Sequence, residues 1–385
     1  MKNLFVLALL FGVFSSTTIA QETLNLEEAK SRVMDENINL SIAYEQYVLA
    51  KSQAKAKSLQ LLPALSIDML IYDYQYAMLR SIIPEPSRFF EAKAQKELAE
   101  AASINRRIVQ KNLLEDLEST YFLHQFHKEM ADSFRVEQEI TRDIAKRSQE
   151  AYDLGTIQFS DYYRIQRDVV KADNQSLSGT QLVKTEEFAL KLMLQLANPQ
   201  NSLTLDRVDF YNESLAYPLT VEEATKIALK NSQELAQHDY LIAAAKKNKT
   251  ATKLSWLSWN GVGFDYFARV SIAKHEIHKV ELAKKKTEIE IKNQVAEQYA
   301  LIEIQKNKIN EQLKYLSMVE AEYEAALDME TEVLNSFINT RKAELSLIYA
   351  QREAVRLKYE LEVKYIKLKR LIGANMITNT IPNLN

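Results

Sequence analysis

Two pairs of histidines are the residues of this chain whose type and spacing come closest to a chemical site. His124 and His127, and again His275 and His278, are three positions apart, which places both rings on one face of a helix. Imidazole nitrogens can bind zinc, but a zinc site needs further ligands, and the chain offers no cysteine and no third matching residue. The second pair also falls one residue short of the H-E-x-x-H motif of zinc proteases. We therefore predict solvated histidines and no metal site.

Motifs of other enzyme classes are missing from the sequence. It contains no glycine-rich phosphate loop and no G-x-S-x-G nucleophile elbow. Its many carboxylates fall where exposed helix faces carry them for solubility. We therefore predict that the protein is not an enzyme and has no catalytic residues and no cofactor.

The composition is typical of long helices. Among 385 residues there are only six glycines, six prolines and no cysteine. Without cysteine the chain has no disulfides and no lipid on an N-terminal cysteine. The net charge of -3 is too small to indicate nucleic acid as a partner.

The N-terminus has the pattern of a secretory signal peptide. Lys2 precedes an apolar run over residues 4–13, and Thr18-Ile19-Ala20 forms a small-residue cleavage site. A first transmembrane helix is the alternative, but the apolar run is too short to cross a bilayer. We predict a signal peptide over residues 1–20 and an exported mature protein.

Proline placement marks the long elements. No proline falls between residues 87 and 198 or between 219 and 381, and an interior proline would break a helix at a cost of about 3 kcal/mol. Within these stretches apolar residues recur at helical spacing, and Gly373 ends the last pattern. One such pattern is diluted by glutamines, which suits a helix with water on one side. The predicted helices are 26–60, 88–153, 159–197, 221–255, 273–327 and 332–372.

The sequence repeats itself. Residues 24–29 match residues 219–224 at an offset of 195, whereas residues 155–167 lie over residues 329–341 at an offset of 174. The difference falls in the connection between a short first helix and a very long second one. The predicted units are a helical hairpin repeat at 21–197, a linker at 198–218, a second repeat at 219–373 and a disordered tail at 374–385.

These features resemble the TolC-like outer-membrane factor family. The resemblance rests on the two L-x-[LV]-E-E-A starts at 24–29 and 219–224, on Leu-Leu-Pro at 61–63, and on Tyr-Asp-Leu-Gly-Thr-Ile-Gln-Phe-Ser-Asp at 152–161. It implies an all-α fold in which two repeats of long antiparallel hairpins form a coiled-coil α-barrel wall. It also implies a homotrimer in the periplasm of a Gram-negative bacterium, acting with a periplasmic adaptor protein and an inner-membrane transporter, for which the ABC type is a candidate.

The resemblance also assigns expected roles to residues at the hairpin turns. It makes Asp161 a carboxylate at a narrow pore mouth, with Asn335 in the second copy. Alternatively, Asp161 only favours the start of its helix. Arg167 and Arg341, at equivalent places, either pair across neighbouring hairpins or face solvent. The adaptor-facing tips would comprise Leu154, Gly155, Thr156, Asp328, Met329 and Glu330.

The connections between short and long helices depart from the family pattern. Family members carry two membrane strands there, each of about 9 to 11 residues. Residues 257–273 are too few for two strands and a turn, and the apolar alternation slips phase within residues 63–87. We therefore expect little or no β-barrel. The aromatics at this end either cap the bundle or contact a partner or the outer-membrane surface: Tyr72, Tyr74, Tyr76, Phe89, Phe90, Trp256, Trp259, Phe264, Tyr266 and Phe267.

The sequence thus predicts a periplasmic tunnel component of a tripartite efflux or secretion system. A non-conducting helical scaffold of an envelope complex is the second hypothesis. A full outer-membrane channel with a minimal barrel is the third.

Overall fold

The computed structural model describes residues 22–62, 85–196, 203–208, 219–258, 263–330 and 334–373. Several predictions fall outside these residues. They concern the signal peptide, the tail, most of the linker, the membrane strands expected to be missing from the connections, and the aromatics Tyr72, Tyr74, Tyr76 and Trp259.

Helices account for nearly all of the described structure, which confirms the predicted all-α class. Two short strands, absent from the prediction, join the first repeat to the start of the linker. In chain order the elements are β1 (Glu22–Leu24), α1 (Leu26–Glu36), α2 (Ile38–Leu59), α3 (Pro86–Asp153), α4 (Phe159–Met193), β2 (Leu203–Leu205), α5 (Val221–Asn231), α6 (Gln233–Leu254), α7 (Tyr266–Asp328) and α8 (Leu334–Ile372).

Both short helices expected at 26–60 and 221–255 are broken in two, so the prediction of one continuous helix in each repeat was wrong. Asn37 and Ser232 are extended at the breaks, and each caps the following helix by accepting a backbone N–H with its side chain. Asn37 also donates to the carbonyl of Met193, 2.9 Å away. At each break the backbone therefore leaves the helical conformation, and the side chain of Asn37 or Ser232 stabilises the start of the next helix.

The two repeats begin in the same way. Asn25 and Glu28 form a capping box before α1, and Thr220 and Glu223 form the matching box before α5. The bounds of α1 and α2 reappear in α5 and α6 at a constant offset of 195 residues. The duplication seen in the sequence is therefore a duplication of structure.

Strands β1 and β2 form a parallel pair, with Leu24 opposite Leu205. The hydroxyl of Tyr121, on α3, donates to the carbonyls of Leu24 and Asp206 at 3.2 and 2.7 Å. Tyr299, on α7, donates to the carbonyl of Leu219 at 3.1 Å in the second repeat. A tyrosine on each long helix, buried in α3 and half-buried in α7, thus anchors the start of its own repeat.

The long helices α3 and α7 contain 68 and 63 residues, so each extends about 95 to 100 Å. Helix α7 buries Val295, Ile302 and Ile309 against α8, as the seven-residue spacing predicts. Gln305 is also buried in this interface and donates to the carbonyl of Leu357 at 3.0 Å. Gln305 thus hydrogen-bonds to the backbone of α8 instead of facing water. This differs from the sequence-based interpretation that the glutamines of this pattern suit a helix with water on one side.

Near the tips the long helices lie side by side in the order α4, α3, α8, α7. Towards the other end the short helices take the places of α4 and α8 in the same layer, so that the order there is α2, α3, α6, α7. Each repeat has its own hydrophobic core at the level of the short helices. Leu114 and Phe122 of α3 meet Ile366 of α8 where the repeats join. Within the described residues, no helix is both long and apolar enough to cross a membrane. The described helices therefore form one layer of rods, with α7 along one edge and α4, followed by α2, along the other.

Candidate functional site

The first hairpin turns at Gly155, whose φ of +70° is reached by glycine without strain. Gly155 N–H donates to the carbonyl of Tyr152 and Thr156 N–H to that of Ala151, both at 2.9 Å. These two bonds form a Schellman motif that ends α3. Leu154 is 79% exposed beside the turn. The tip is thus a rigid turn that presents an apolar side chain to solvent.

Aromatic side chains at the end of α3 and the start of α4 pack next to this turn. Tyr152 stacks on Tyr162 with ring centroids 4.9 Å apart, which ties the end of α3 to the start of α4. Phe159 and Tyr163 contact each other at 4.3 Å and remain exposed. The first tip therefore exposes apolar and aromatic side chains next to a turn that hydrogen bonds and ring stacking hold in place.

The second hairpin closes differently. Helix α7 ends at Asp328, and Met329 is 76% exposed without adopting a positive φ. Glu330 N–H donates to the carbonyl of Leu327 at 3.1 Å, and Ser336 Oγ donates to that of Met329 at 3.0 Å. Residues 331–333 and the side chain of Asn335 lie outside the described structure. Both tips nevertheless share an exposed apolar residue, Leu154 in the first and Met329 in the second.

The candidate pore-mouth residues are not brought together in one protomer. Asp161 lies in the first turn of α4 and pairs with Arg164 at 3.0 Å, with both side chains largely exposed. Arg167 is exposed. Arg341 instead pairs with Glu344 on its own helix and approaches Asp143 of α3 at 3.9 Å. Of the two arginines, only Arg341 reaches the neighbouring hairpin.

Helix α4 carries an apolar stripe that no part of the described chain covers. Its members follow each other at steps of 4, 7, 7, 11 and 4 residues, close to whole helical turns. The opposite face of α4 is buried at Ala172, Gly179 and Leu190. We call this exposed set the α4 stripe, which comprises Phe159, Tyr163, Val170, Leu177, Phe188 and Leu192.

Helix α7, at the other edge, has the same property. Five of its exposed apolar residues lie opposite the face that packs on α8. We call this set the α7 stripe, which comprises Leu282, Ile289, Ile304, Tyr315 and Met318.

The inner helices lack such stripes. Only Phe89 and Val136 are large exposed hydrophobic residues among the 68 residues of α3, and Tyr349 is the one such residue recorded on α8 within the described side chains. Unpartnered apolar surface is thus concentrated at the two edges of the layer. Contiguous exposed apolar surface of this kind marks sites of association.

A buried ion pair fastens the two hairpins where α3 meets α8. The carboxylate of Glu137, 4% exposed, accepts from Arg352 Nη2 and from the Tyr349 hydroxyl, both at 2.7 Å. Arg352 Nε also donates to Ser133 Oγ at 3.0 Å, and its guanidinium lies 4.1 Å from the Phe134 ring centroid. Burial, and then the bond to Glu137, raise the pKa of Tyr349 to about 12. The contact is therefore charged, desolvated and well satisfied.

We call Glu137, Tyr349 and Arg352 the clamp; of these, Glu137 and Tyr349 line a groove between α4 and α8. The groove has a volume of about 750 Å³. Both signs of charge line it, including Asp168 and Lys171 of α4. The interface between the two hairpins therefore contains a polar groove next to the buried Glu137–Arg352 ion pair.

The histidines divide into two kinds. His275 and His278 are exposed, as predicted. The prediction of a solvated His124 was wrong: its ring is 5% exposed and its Nδ1 makes no hydrogen bond among the described residues. His127 is partly buried, with Nδ1 3.7 Å from Glu186. Periodicity put both rings on one face, but it did not show that the return helix α4 covers that face. No cluster of three or more metal-ligating acidic or histidine side chains occurs in the described ranges.

Acidification is expected to destabilise the protein through His124. Burial lowers the pKa of this ring from 6.5 to about 4, so the folded protein keeps it neutral where the unfolded chain binds a proton. Stability contributed by neutral His124 is present above pH 6.5 and is lost as the pH falls toward 4, by about 3 kcal/mol. Unfolding midpoints measured between pH 7 and 4 should fall less steeply in His124→Gln than in the parent.

The neighbouring Glu187 titrates in a lower window, so it does not mask this effect. Burial alone would raise the pKa of Glu187, but hydrogen bonds from Lys184 and Lys191 outweigh it and lower the pKa to about 2. Its contribution is therefore lost below pH 4.5. The exposed His275→Gln is the matched control, and an equal pH slope in both variants would contradict the assignment to His124.

Gly155→Ala is expected to loosen the first tip. A Cβ at this position meets no atom within 4 Å, so the cost is backbone strain at positive φ, about 1 kcal/mol. Amide exchange at residues 151–158 should quicken while that of the α3–α4 core is unchanged. Gly155→Asn is the control because asparagine tolerates this conformation, and identical exchange in both variants would show that the turn does not need glycine.

The end opposite the tips retains exposed aromatics. Trp256, Phe264 and Phe267 are exposed, whereas Tyr266 is partly covered and donates to the carbonyl of Lys253 at 2.9 Å. Among the described residues the exposed rings do not cap the bundle within one protomer.

Two groups important to this geometry were missed in the sequence. The helix breaks could have been found, because Asn37 and Ser232 are both N-cap residue types at the same repeat position. The clamp could not, because Glu137 and Arg352 are 215 residues apart and both types are common on exposed helix faces.

The architecture of this chain is similar to that of other proteins of known structure. No protein-family model and no curated protein sequence matches the chain. Solved structures do. CusC, whose crystal structures concern transmembrane channel formation, has a TM-score of 0.73 and 13% identity, covering 91% of this chain and 92% of its own. VceC, an outer membrane protein of Vibrio cholerae, has a TM-score of 0.70 and 11% identity over 90% and 96%.

The Campylobacter jejuni outer membrane channel CmeC is a third such structure, with a TM-score of 0.69 and 11% identity over 90% of this chain and 85% of its own. CusC and CmeC are both described as membrane channels. The chain therefore has the TolC-like fold of the outer membrane channels.

Proposed function

We propose that the protein is a tunnel component of an efflux or secretion system, formed when copies of the chain close into a ring. The single observation that carries this proposal is the pair of apolar stripes at the two edges of the layer. The fold shared with outer membrane channels supports it.

The edges are different surfaces, so association joins the α4 stripe of one copy to the tip half of the α7 stripe of the next, which contains Ile304, Tyr315 and Met318. Such a heterologous contact continues from copy to copy until the rotation closes a ring. A curved layer of four long helices closes with three copies in the family that it resembles, and we propose a homotrimer here. The enclosed space would be a tunnel through the periplasm.

The tips are the proposed docking surface for a periplasmic adaptor protein. Leu154 and Met329 expose apolar side chains at the end of each hairpin, and the Schellman turn fixes the backbone next to Leu154. The adaptor would connect the tunnel to an inner-membrane transporter, for which the ABC type remains the candidate. Asp161 and Arg164 lie close behind this surface and would face the tunnel entrance of the ring.

A non-conducting scaffold is the competing function. A scaffold would also associate, but as a filled bundle with no water-filled space next to the clamp and the groove. The groove of about 750 Å³ with charged walls favours the tunnel, because a filled bundle would leave those charges without water.

Disulfide trapping tests the proposed edge contact, because the natural chain contains no cysteine. Val170 lies 11 residues from the start of α4, and Met318 lies 10 residues from the end of α7, so both are about 15 Å from their tips. With Val170→Cys and Met318→Cys in one chain, oxidation in the cell envelope should produce dimers and closed trimers.

The control combines Met318→Cys with Ala172→Cys, which faces the interior of the first hairpin. It should give no intermolecular product. Equal cross-linking of both pairs, or monomers alone from the edge pair, would contradict the proposed contact.

A further inference from the structure

We infer that acidification detaches the middle of α4, residues 173–187, from α3, and that two histidines on the covered face of α3 are the trigger. The rest of the fold stays closed at the same pH. Leu177 belongs to this segment and Phe188 adjoins it, so detachment displaces two members of the α4 stripe. The consequence for ring assembly rests on the proposed function, whereas the detachment itself does not.

The middle of α4 is weakly packed. No apolar side chain of α4 is buried between Ala172 and Leu190, and the buried residue near the centre of this stretch, Gly179, has no side chain. By contrast, α8 buries four apolar side chains over residues 343–357 on the other side of α3. Segments with few buried apolar contacts open at a lower free energy than the rest of a fold. We therefore expect α4 to separate from α3 more easily than α8 does.

His124 and His127 of α3 lie under the C-terminal end of this segment. The His124 side chain is 5% exposed, and Nδ1 of neither ring forms a hydrogen bond among the described residues. A neutral imidazole can be buried in this way, but a protonated ring brings a second N–H donor and a charge that both need partners. His124 therefore fits the closed segment only when it is neutral.

The charges that face His124 offer little compensation for a proton on its ring. From α3 they are His127 and Lys128, and from α4 they are Lys184 and Glu187. Glu187 is the single carboxylate among them, and it already pairs with Lys184 Nζ at 2.7 Å and with Lys191 Nζ at 2.6 Å. A protonated His124 would be a third cation beside this carboxylate. Its charge is relieved by water, which reaches the ring when the segment moves away from α3.

The direction of the pH effect follows from burial, which lowers the pKa of His124 to about 4 and also lowers the pKa of His127. In the detached segment the rings are solvated and titrate near 6.5. Detachment is therefore favoured as the pH falls below 6.5, and His124 alone raises the ratio of open to closed molecules about 30-fold between pH 7.5 and pH 5.

The nearby carboxylate of Glu186 acts in the opposite direction. It lies 3.7 Å from Nδ1 of His127, and burial raises its pKa. The closed segment therefore binds a proton at Glu186 more readily than the open one does, so protonation of this carboxylate favours closure. Glu186 cannot cause the opening.

Hydrogen–deuterium exchange tests the detachment. Tyr315→Glu with Met318→Glu is the background, because charges in the tip half of the α7 stripe prevent a neighbouring copy from holding α4 closed. After correction for the intrinsic pH dependence of exchange, opening of residues 173–187 should increase about 30-fold from pH 7.5 to pH 5. Amides of residues 343–357 in α8 should change by a much smaller factor.

His124→Gln with His127→Gln should abolish this acceleration, because glutamine is neutral at both pH values. His275→Gln with His278→Gln is the matched control, since these rings have the same spacing and are exposed, and it should retain the full acceleration. An unchanged thermal midpoint at pH 7.5 verifies that each variant folds.

The pH profile provides a second test that leaves the buried ring in place. Opening of residues 173–187 should rise from about pH 6.5 downward by about tenfold per pH unit for one ring. A rise that begins only below pH 4.5 would assign the opening to carboxylates and would overturn the inference. Equal acceleration in α4 and α8, no acceleration in α4, or the same acceleration in the His124→Gln, His127→Gln variant would also overturn it.

The mass of the assembled parent protein, measured separately at both pH values, tests the consequence for the ring. The parent should lose assembly at pH 5, and the His124→Gln, His127→Gln variant should keep it. Equal assembly of the parent at both pH values would contradict the link between the segment and the edge contact. A parent that is monomeric at pH 7.5 would contradict the proposed ring, and the exchange result would still decide the detachment.

Discussion

Val170→Glu combined with Leu177→Glu is expected to leave the protein monomeric. Both residues belong to the α4 stripe and are exposed in the protomer, so the charges cost little before association. In the ring each would be buried against the α7 stripe of the next copy. Loss of two buried aliphatic side chains removes about 3 to 6 kcal/mol per contact, or about two to four orders of magnitude in affinity. Light scattering after size exclusion should report the mass of one chain.

Lys171→Glu combined with Ser178→Glu is the matched control for this prediction. Each of these exposed positions follows a stripe residue by one, so it lies about 100° around the helix from the contact. The control should assemble as the parent does. If it dissociates equally, or if the stripe variant stays assembled, the α4 edge is not the contact surface.

Breaking the clamp is expected to have the largest effect on the stability of a single protomer. Either Glu137→Ala or Arg352→Ala leaves a buried charge without its partner, which costs about 3 to 5 kcal/mol. The double variant should cost little more than either single one, because no unpaired charge remains. Urea unfolding in the monomeric Val170→Glu, Leu177→Glu background excludes subunit dissociation from the measured free energy.

The pair Glu311 and Lys314 on α7 serves as the control for the clamp. Its side chains are 73% and 66% exposed, so removing either partner should change the unfolding free energy by no more than about 1 kcal/mol. Additive losses in the clamp double variant would contradict a coupled buried pair. Faster amide exchange around residues 349–352 in the single variants would locate the effect where α3 meets α8.

The long hairpins could be predicted because their causes are local. Proline is absent from the long stretches, and Gly155 marks a turn that needs positive φ. The seven-residue spacing of Val295, Ile302 and Ile309 likewise identifies the face of α7 that is buried on α8. Such features depend on residues within a few turns of each other.

Other features depend on partners distant in sequence. Strand β2 has three residues and is defined by pairing with β1, about 180 residues earlier. His124 was predicted to be solvated, but it is buried because the return helix α4 covers it. The stripes are periodic in the sequence, but a periodic apolar face does not show whether its partner is in the same chain or in another copy. That distinction needs the packing order of the helices.

Single-particle electron microscopy of the purified protein tests the central claim most directly. We predict an end view with a closed ring of twelve long helices, three copies of the four in each protomer, around an open axial channel. Isolated protomers, or a filled bundle without an axial opening, would contradict it.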